Sequence, residues 1–214
     1  MKLFSNFMAL ITISAMFFTS CNNTQTNKET QDMTPRNILL VIDLQKDFIN
    51  GNLSATDAEP IVPRIDSIKT QFDAVYFTLD WHPANHCSFA DQGGPWPVHC
   101  VHYTLGASLP DCMLLGLDES KTRFFVKGCD PELEEYGAFS MLTKENQDLF
   151  NPGDEVTVCG IAAEYCVLET LKNVVRLSKE IGFTVKVYMD GVACIVNNDP
   201  LLEYMKEEGI EVVK

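Results

Sequence analysis

The strongest constraint on this chain is an alternation. From Asn37 onward, short runs rich in β-branched and aromatic residues alternate with longer amphipathic runs, the pattern of a parallel sheet whose crossovers are helices. The short runs fall at 37–43, 74–80, 123–127, 155–160, 184–190 and 210–213. They are apolar almost throughout, as strands must be when both faces of their sheet are covered. Helices fit 61–72, 164–181 and 200–208; Asn198 and Asp199 precede the last as caps, Pro200 sits in its first turn, and Gly182 and Gly209 suit the stops. With 214 residues, 46% of them hydrophobic, the chain has material for one compact domain with a substantial core. Between Trp81 and Glu119 lies a long segment rich in Pro, Gly, His and Cys. A connection of that length inside a compact domain is usually functional.

The first twenty residues are a different material. Lys2 precedes an apolar stretch from Phe7 to Phe18 that is short for a bilayer span and reads as an export signal. It ends at Phe18-Thr19-Ser20-Cys21, and a polar run without hydrophobic period follows to Thr34. This arrangement resembles a bacterial lipoprotein signal. It divides the chain into a signal segment (1–20), a tether lipidated at Cys21 (21–35) and a folded domain (36–214). Such a protein is exported to the periplasm or cell envelope and meets the membrane only through its lipid; plain secretion and an uncleaved anchor are the alternatives. The formal charge of −14 repels nucleic acid and anionic lipid, which excludes a DNA- or RNA-binding role. Beyond Cys21 there are seven cysteines, an odd number that cannot all pair, and so a reactive thiol is a candidate.

In open α/β sheets, ligands collect at the carboxyl ends of strands. Here the first strand delivers Asp43, the second Asp80 and His82, the third Lys127, and the fourth leads through Gly160 to Cys166. Each alone has an ordinary explanation as a turn cap, a solvated amine or a core thiol; four consecutive strand ends of this kind do not. All four histidines, His82, His86, His99 and His102, fall in one short window. Asp80 and His82 leave the same face of a strand end, and His99 can return to them across the loop holding Trp96 and Pro97. One carboxylate and two imidazoles suit a catalytic Zn²⁺, Fe²⁺ or Mn²⁺ ion, and spacing does not choose among them. Cys166 opens a long helix whose N–H groups and dipole favour a thiolate. Asp43 is placed to take the thiol proton, with Lys127 keeping Asp43 ionised. Cys159, inside an apolar strand, reads as an inert core thiol.

Five ordered segments carry a resemblance: Asp43-Leu-Gln-Lys-Asp-Phe48, Asp80-Trp-His-Pro-Ala-Asn-His86-Cys-Ser-Phe89, Gly94-Pro-Trp96-Pro-Val-His99-Cys100, Lys127-Gly128 and Gly160-Ile-Ala-Ala-Glu-Tyr-Cys166-Val. Together they resemble the nicotinamidases among the isochorismatase-like cysteine hydrolases. The resemblance implies an α/β, three-layer doubly wound fold with a six-stranded parallel sheet. It implies a catalytic triad of Asp43, Lys127 and Cys166, and one divalent metal ion, Zn²⁺ first, on Asp80, His82 and His99. It further implies an oxyanion hole from the backbone N–H groups of Ala162 and Cys166, beside a non-proline cis bond at Ile161–Ala162. Phe48, Trp96 and Tyr165 become walls around a flat pyridine ring whose nitrogen faces the metal. The implied reaction is hydrolysis of nicotinamide, and of pyrazinamide, to the acid and ammonia in NAD salvage. The partner is then a small amide, with a homo-oligomer left open. Glu164 stands where a small residue or Asp is more usual, Gly137 where Ser is common, and His102-Tyr103 follow Cys100-Val101 as an intrusion. The rival readings are a superfamily relative acting on a carbamoyl, ureido or enol-ether substrate, and a metal-binding or purely structural lipoprotein without turnover.

Overall fold

The computed structural model of the chain describes residues 34–141, 143 and 148–214. The expected signal segment and the tether through residue 33, including Cys21, lie outside the described residues. Among the described residues no helix is long and apolar enough to cross a membrane.

Six strands form one sheet: β1 (Asn37–Ile42), β2 (Ala74–Asp80), β3 (Thr122–Lys127), β4 (Glu155–Ile161), β5 (Thr184–Ala193) and β6 (Glu211–Val213). Every pairing is parallel, in the order β3-β2-β1-β4-β5-β6. The helices are α1 (Lys46–Ile49), α2 (Ala58–Ile68), α3 (Leu168–Ile181) and α4 (Asp199–Glu208). β1 shows why the sheet is covered twice. Ile38, Leu40 and Ile42 pack with Leu171 and Val174 of α3 and Leu201 and Met205 of α4, while Leu39 and Val41 pack with Ile61 and Ile65 of α2. Alternate side chains of one fully buried strand thus feed two separate cores, which is the three-layer arrangement.

From β1 the chain builds outward on one side through β2 and β3, then crosses to the other side for β4, β5 and β6. The strand order therefore reverses between β1 and β4, and the crevice above their carboxyl ends is where an open sheet of this kind accepts a ligand. Gly160 makes that junction tight. Its φ is +124°, and a Cβ there would sit 2.0 Å from the Ile42 carbonyl oxygen, so only glycine lets the two strand ends lie this close.

Three expectations change. The helix expected over 61–72 starts at Ala58, because Pro60 falls in its first turn, where the missing N–H costs nothing, and its last turn tightens to 3₁₀ at Lys69–Gln71. The helix expected from 164 begins as a wider π turn, Ala163–Val167, before α3. Finally, β3 is an edge strand, and Phe124 and Val126 are half exposed (50% and 53%). Apolar composition alone does not separate an edge strand from a central one. The 81–119 segment carries no strand; it is tied down by isolated bridges, His82 to Val101 and Phe89 to Trp96, and by short 3₁₀ turns.

Candidate active site

Strand register assembles the candidate catalytic side chains. Asp80 and Lys127 are register partners at the ends of β2 and β3, and Ile42 faces Thr78 and Gly160 on either side. The residue after Ile42 is Asp43, held at φ +44° with its N–H donating to the Thr78 carbonyl at 3.1 Å. Aspartate tolerates this left-handed turn better than most residues, and backbone held in that region is typical of functional sites. The Thr78 hydroxyl donates to Asp43 Oδ1 at 2.7 Å, which fixes the carboxylate plane. Lys127 Nζ then lies 2.8 Å from Asp43 Oδ2 and 3.4 Å from Cys166 Sγ, and it also pairs closely with Asp80 Oδ1. An Asp43 oxygen, an Asp80 oxygen and Cys166 Sγ all fall within 4.8 Å of one another. Asp43 is thus within reach of both the ammonium and the thiol. The three residues expected to act together are brought together.

Electrostatics corrects two details. Burial pushes the Cys166 thiol well above its ordinary value, Lys127 pulls it back, and Asp43 and Asp80 push it further up. Cys166 is therefore a thiol at rest, not the ready thiolate that a helix start suggests, because it sits in the π turn below α3 and faces two carboxylates. Burial likewise outweighs Lys127 at Asp43, whose carboxyl is raised. Lys127 opposes that rise, and the ionised carboxylate it favours is the form that can take a thiol proton. Lys127 itself, despite burial, is held well above its ordinary value by Asp43 and Asp80 and stays an ammonium.

The second cluster is Asp80, His82 and His99, all buried, each offering one ligand atom within 4.8 Å of the other two. His82 Nδ1 lies 2.9 Å from the Gly128 carbonyl and His99 Nδ1 lies 2.8 Å from the Pro97 carbonyl. A carbonyl only accepts, so both Nδ1 atoms carry the hydrogen and both Nε2 atoms present a lone pair inward. Gly128 has φ +63°, and a Cβ there would meet the His82 ring at 2.5 Å, so a glycine is needed for this carbonyl to reach the imidazole. Asp80 Oδ2 is 3.5 Å from His82 Nε2 and 3.9 Å from His99 Nε2. The carboxylate favours a protonated His82, yet the buried Nε2 makes no hydrogen bond. A divalent cation would satisfy ring and carboxylate together, and burial keeps His99 neutral, the form that binds metal. The donor set fits such an ion. The other two histidines do not join: His86 stacks behind His82 at 4.0 Å and is bound by Ser88 and the Leu133 carbonyl, and His102 packs toward Trp81.

A narrow cavity is lined by Phe48, Trp96 and Tyr165, as expected, together with Asp80, His99, Ala162 and Cys166. Trp96 and Tyr165 meet edge to face at 5.0 Å, and the Ile161–Ala162 peptide is cis.

Residues 37–213 match the isochorismatase domain. The chain belongs to that family. It is 32% identical to the nicotinamidase of Escherichia coli over 185 residues, 74% of this chain and 83% of that one. Its fold matches the pyrazinamidase of Pyrococcus horikoshii, solved in complex with zinc, with a TM-score of 0.69 and 33% identity, over 84% of this chain and 99% of that one. It also matches the yeast nicotinamidase bound to the inhibitor nicotinaldehyde, with a TM-score of 0.72 and 27% identity, over 83% and 99%.

Within this isochorismatase domain several site residues escaped sequence reading. Leu53, Glu134, Tyr136 and Ile195 complete the cavity wall, and Tyr136 accepts a hydrogen bond from Trp96 Nε1 at 3.0 Å. Gln45 is fully buried; its amide donates to the Asp80 and Ala107 carbonyls and accepts from the Asp80 N–H, which clamps the end of β2 beside β1. Gln45 stands third in the first motif, but its burial and its bonds to Asp80 and Ala107 arise only in the fold. Leu53, Glu134 and Ile195 come from loops with no pattern of their own. Every cysteine among the described residues is free, and Cys159 is the inert core thiol expected, its pKa driven up by burial alone.

Proposed function

We propose that this isochorismatase-family protein is a metal-containing cysteine amidohydrolase that converts nicotinamide to nicotinate and ammonia, with pyrazinamide as an alternative substrate. The observation that carries this reading is the meeting of Asp43 and Lys127 with Cys166, which itself lines an aromatic-walled cavity together with Asp80 and His99. The flat rings of Phe48, Trp96 and Tyr165 suit a pyridine or pyrazine ring. The similarity to nicotinamidases and a pyrazinamidase over most of both chains supports the same substrate class.

In this proposal Asp43 takes the Cys166 proton as sulfur bonds to the carboxamide carbon. The carbonyl oxygen gains charge toward the N–H groups of Ala162 and Cys166. Asp43 then returns the proton to nitrogen, the C–N bond breaks, and ammonia leaves a thioester on Cys166. Water adds to that thioester, Asp43 again taking a proton, and the C–S bond breaks to give the acid and the thiol. Lys127, an ammonium throughout, offsets the negative charge that passes between Asp43 and sulfur. Asp80, His82 and His99 would hold a divalent ion, Zn²⁺ on this reading, which when bound supplies Lewis-acid polarisation and a fixed electropositive wall. We further propose that Cys21 is lipidated and the domain exported, which palmitate labelling and cell fractionation would test.

The test is ammonia release from nicotinamide, pyrazinamide and carbamoyl compounds by the purified protein. Cys166→Ala should lose at least about 10³-fold in rate with an unchanged circular dichroism spectrum. Turnover of carbamoyl compounds alone would move the chain to the rival branch of its superfamily, and retained activity in the variant would end the thiol mechanism.

A further inference from the structure

The Glu164 side chain is not used in the reaction above, although it sits two residues from the nucleophile. It lies on the π turn Ala163–Val167, between Ala162 and Cys166, whose N–H groups are proposed above to meet the oxyanion. Its carboxylate reaches the loop that follows β5. Oε2 accepts from the Ile195 N–H at 3.2 Å and Oε1 from the Val196 N–H at 2.5 Å. Two successive backbone N–H groups pointing the same way form a small anion-binding concavity, and the carboxylate occupies it.

What that contact holds is a wall of the cavity. Ile195 and Leu53 both line it, and the two loops that carry them are tied together where the Thr56 N–H donates to the Cys194 carbonyl at 2.7 Å. Cys194 thus fixes one end of the Ile195 loop to the Leu53 side, and Glu164 fixes the next two residues to the nucleophile turn. Ile195 and Cys194 pack against the core, whereas Val196, just beyond, is 71% exposed and is held through its backbone. Side-chain length matters in such a strut: one methylene fewer shortens the reach by about 1.5 Å.

We propose that Glu164 is a positioning residue that sets the width of the ring pocket by holding Ile195 against the cavity, and so determines how large a ring substituent the enzyme accepts. This rests on the amidase reading for its kinetic arm but not for its structural one. The kinetic arm compares wild type, Glu164→Ala, Glu164→Gln and Ile195→Ala on nicotinamide and 5-methylnicotinamide. A displaced hydrophobic wall is worth roughly tenfold in discrimination. Glu164→Ala should raise KM for nicotinamide about tenfold with kcat changed less than about threefold. Its preference for nicotinamide over the methyl analogue should narrow to match that of Ile195→Ala, and the double variant should add nothing further, as expected of two residues acting through one contact. Glu164→Gln, which keeps one acceptor oxygen, should recover part of the loss. The structural arm is hydrogen exchange at the Ile195 and Val196 amides, which should accelerate at least about tenfold in Glu164→Ala and not in Ile195→Ala. A fall in kcat with KM and discrimination unchanged would overturn the proposal, as would unaltered exchange. Wild type that releases no ammonia from either amide while the exchange result stands would sink the substrate reading and leave the strut in place.

Discussion

Lys127 is the residue on which both halves of the site depend. It is buried, it touches Asp43, Asp80 and Cys166, and its amine also donates to the Glu135 carbonyl at 3.3 Å. Removing one partner of a buried ionic cluster leaves the other charges without compensation, which costs far more than the intact cluster contributes. Lys127→Met should therefore lower stability by about 3–5 kcal/mol as well as abolish amidase activity, read by urea denaturation and ammonia release. A variant of wild-type stability would show that the two carboxylates do not need the amine. The residues of this cluster were legible in the sequence, because acids, amines and thiols at strand ends have few reasons to be there together. Their protonation was not legible. The resting thiol of Cys166 follows from complete burial beside two carboxylates, and neither burial nor distance is written in the order of residues.

At the scale of elements, the crevice exists because β1 and β4 end in contact. Gly160→Ala would force a methyl group against the Ile42 backbone and place an L residue at φ +124°. Backbone cannot give way as a flexible side chain can, so the expected loss is about 4 kcal/mol or more, measured by thermal or denaturant unfolding. Near-wild-type stability would mean that the two strand ends are looser than drawn. Strand positions were legible to within a few residues, since buried strands must be apolar and their boundaries fall at turn-forming residues. Edge against centre was not: Phe124 and Val126 read as core, yet β3 borders solvent. Strand order is decided by pairing between distant segments, and each segment's composition is compatible with several orders. The π turn of Cys166 was missed for a similar reason, since a helix pattern does not reveal a turn widened by its neighbours.

At the scale of the whole molecule, the ligand cluster links chemistry to stability. An ion bound by the native fold and not by the unfolded chain adds about 4 kcal/mol when its free concentration is about a thousand times its dissociation constant. For a domain of this size that corresponds to roughly 10 °C in Tm. Chelation should lower the calorimetric Tm of metal-loaded protein by about that amount, and re-addition of Zn²⁺, Fe²⁺ or Mn²⁺ should restore it in order of fit. A Tm indifferent to chelator would remove the ion from Asp80, His82 and His99.

The sequence by itself determined the alternation of strands and helices, the positions of the six strands and which reactive side chains stand at the strand ends. Hydrophobic periodicity and rare clusters of reactive side chains are local properties, carried by a chain before it folds. The tertiary structure alone decided which strands lie inside, how the protons are shared among Asp43, Lys127 and Cys166, and which loop residues close the cavity. Gln45, Leu53, Glu134 and Ile195 have no meaning until distant segments meet. Their roles are distances across the sheet edge, and those distances arise from packing.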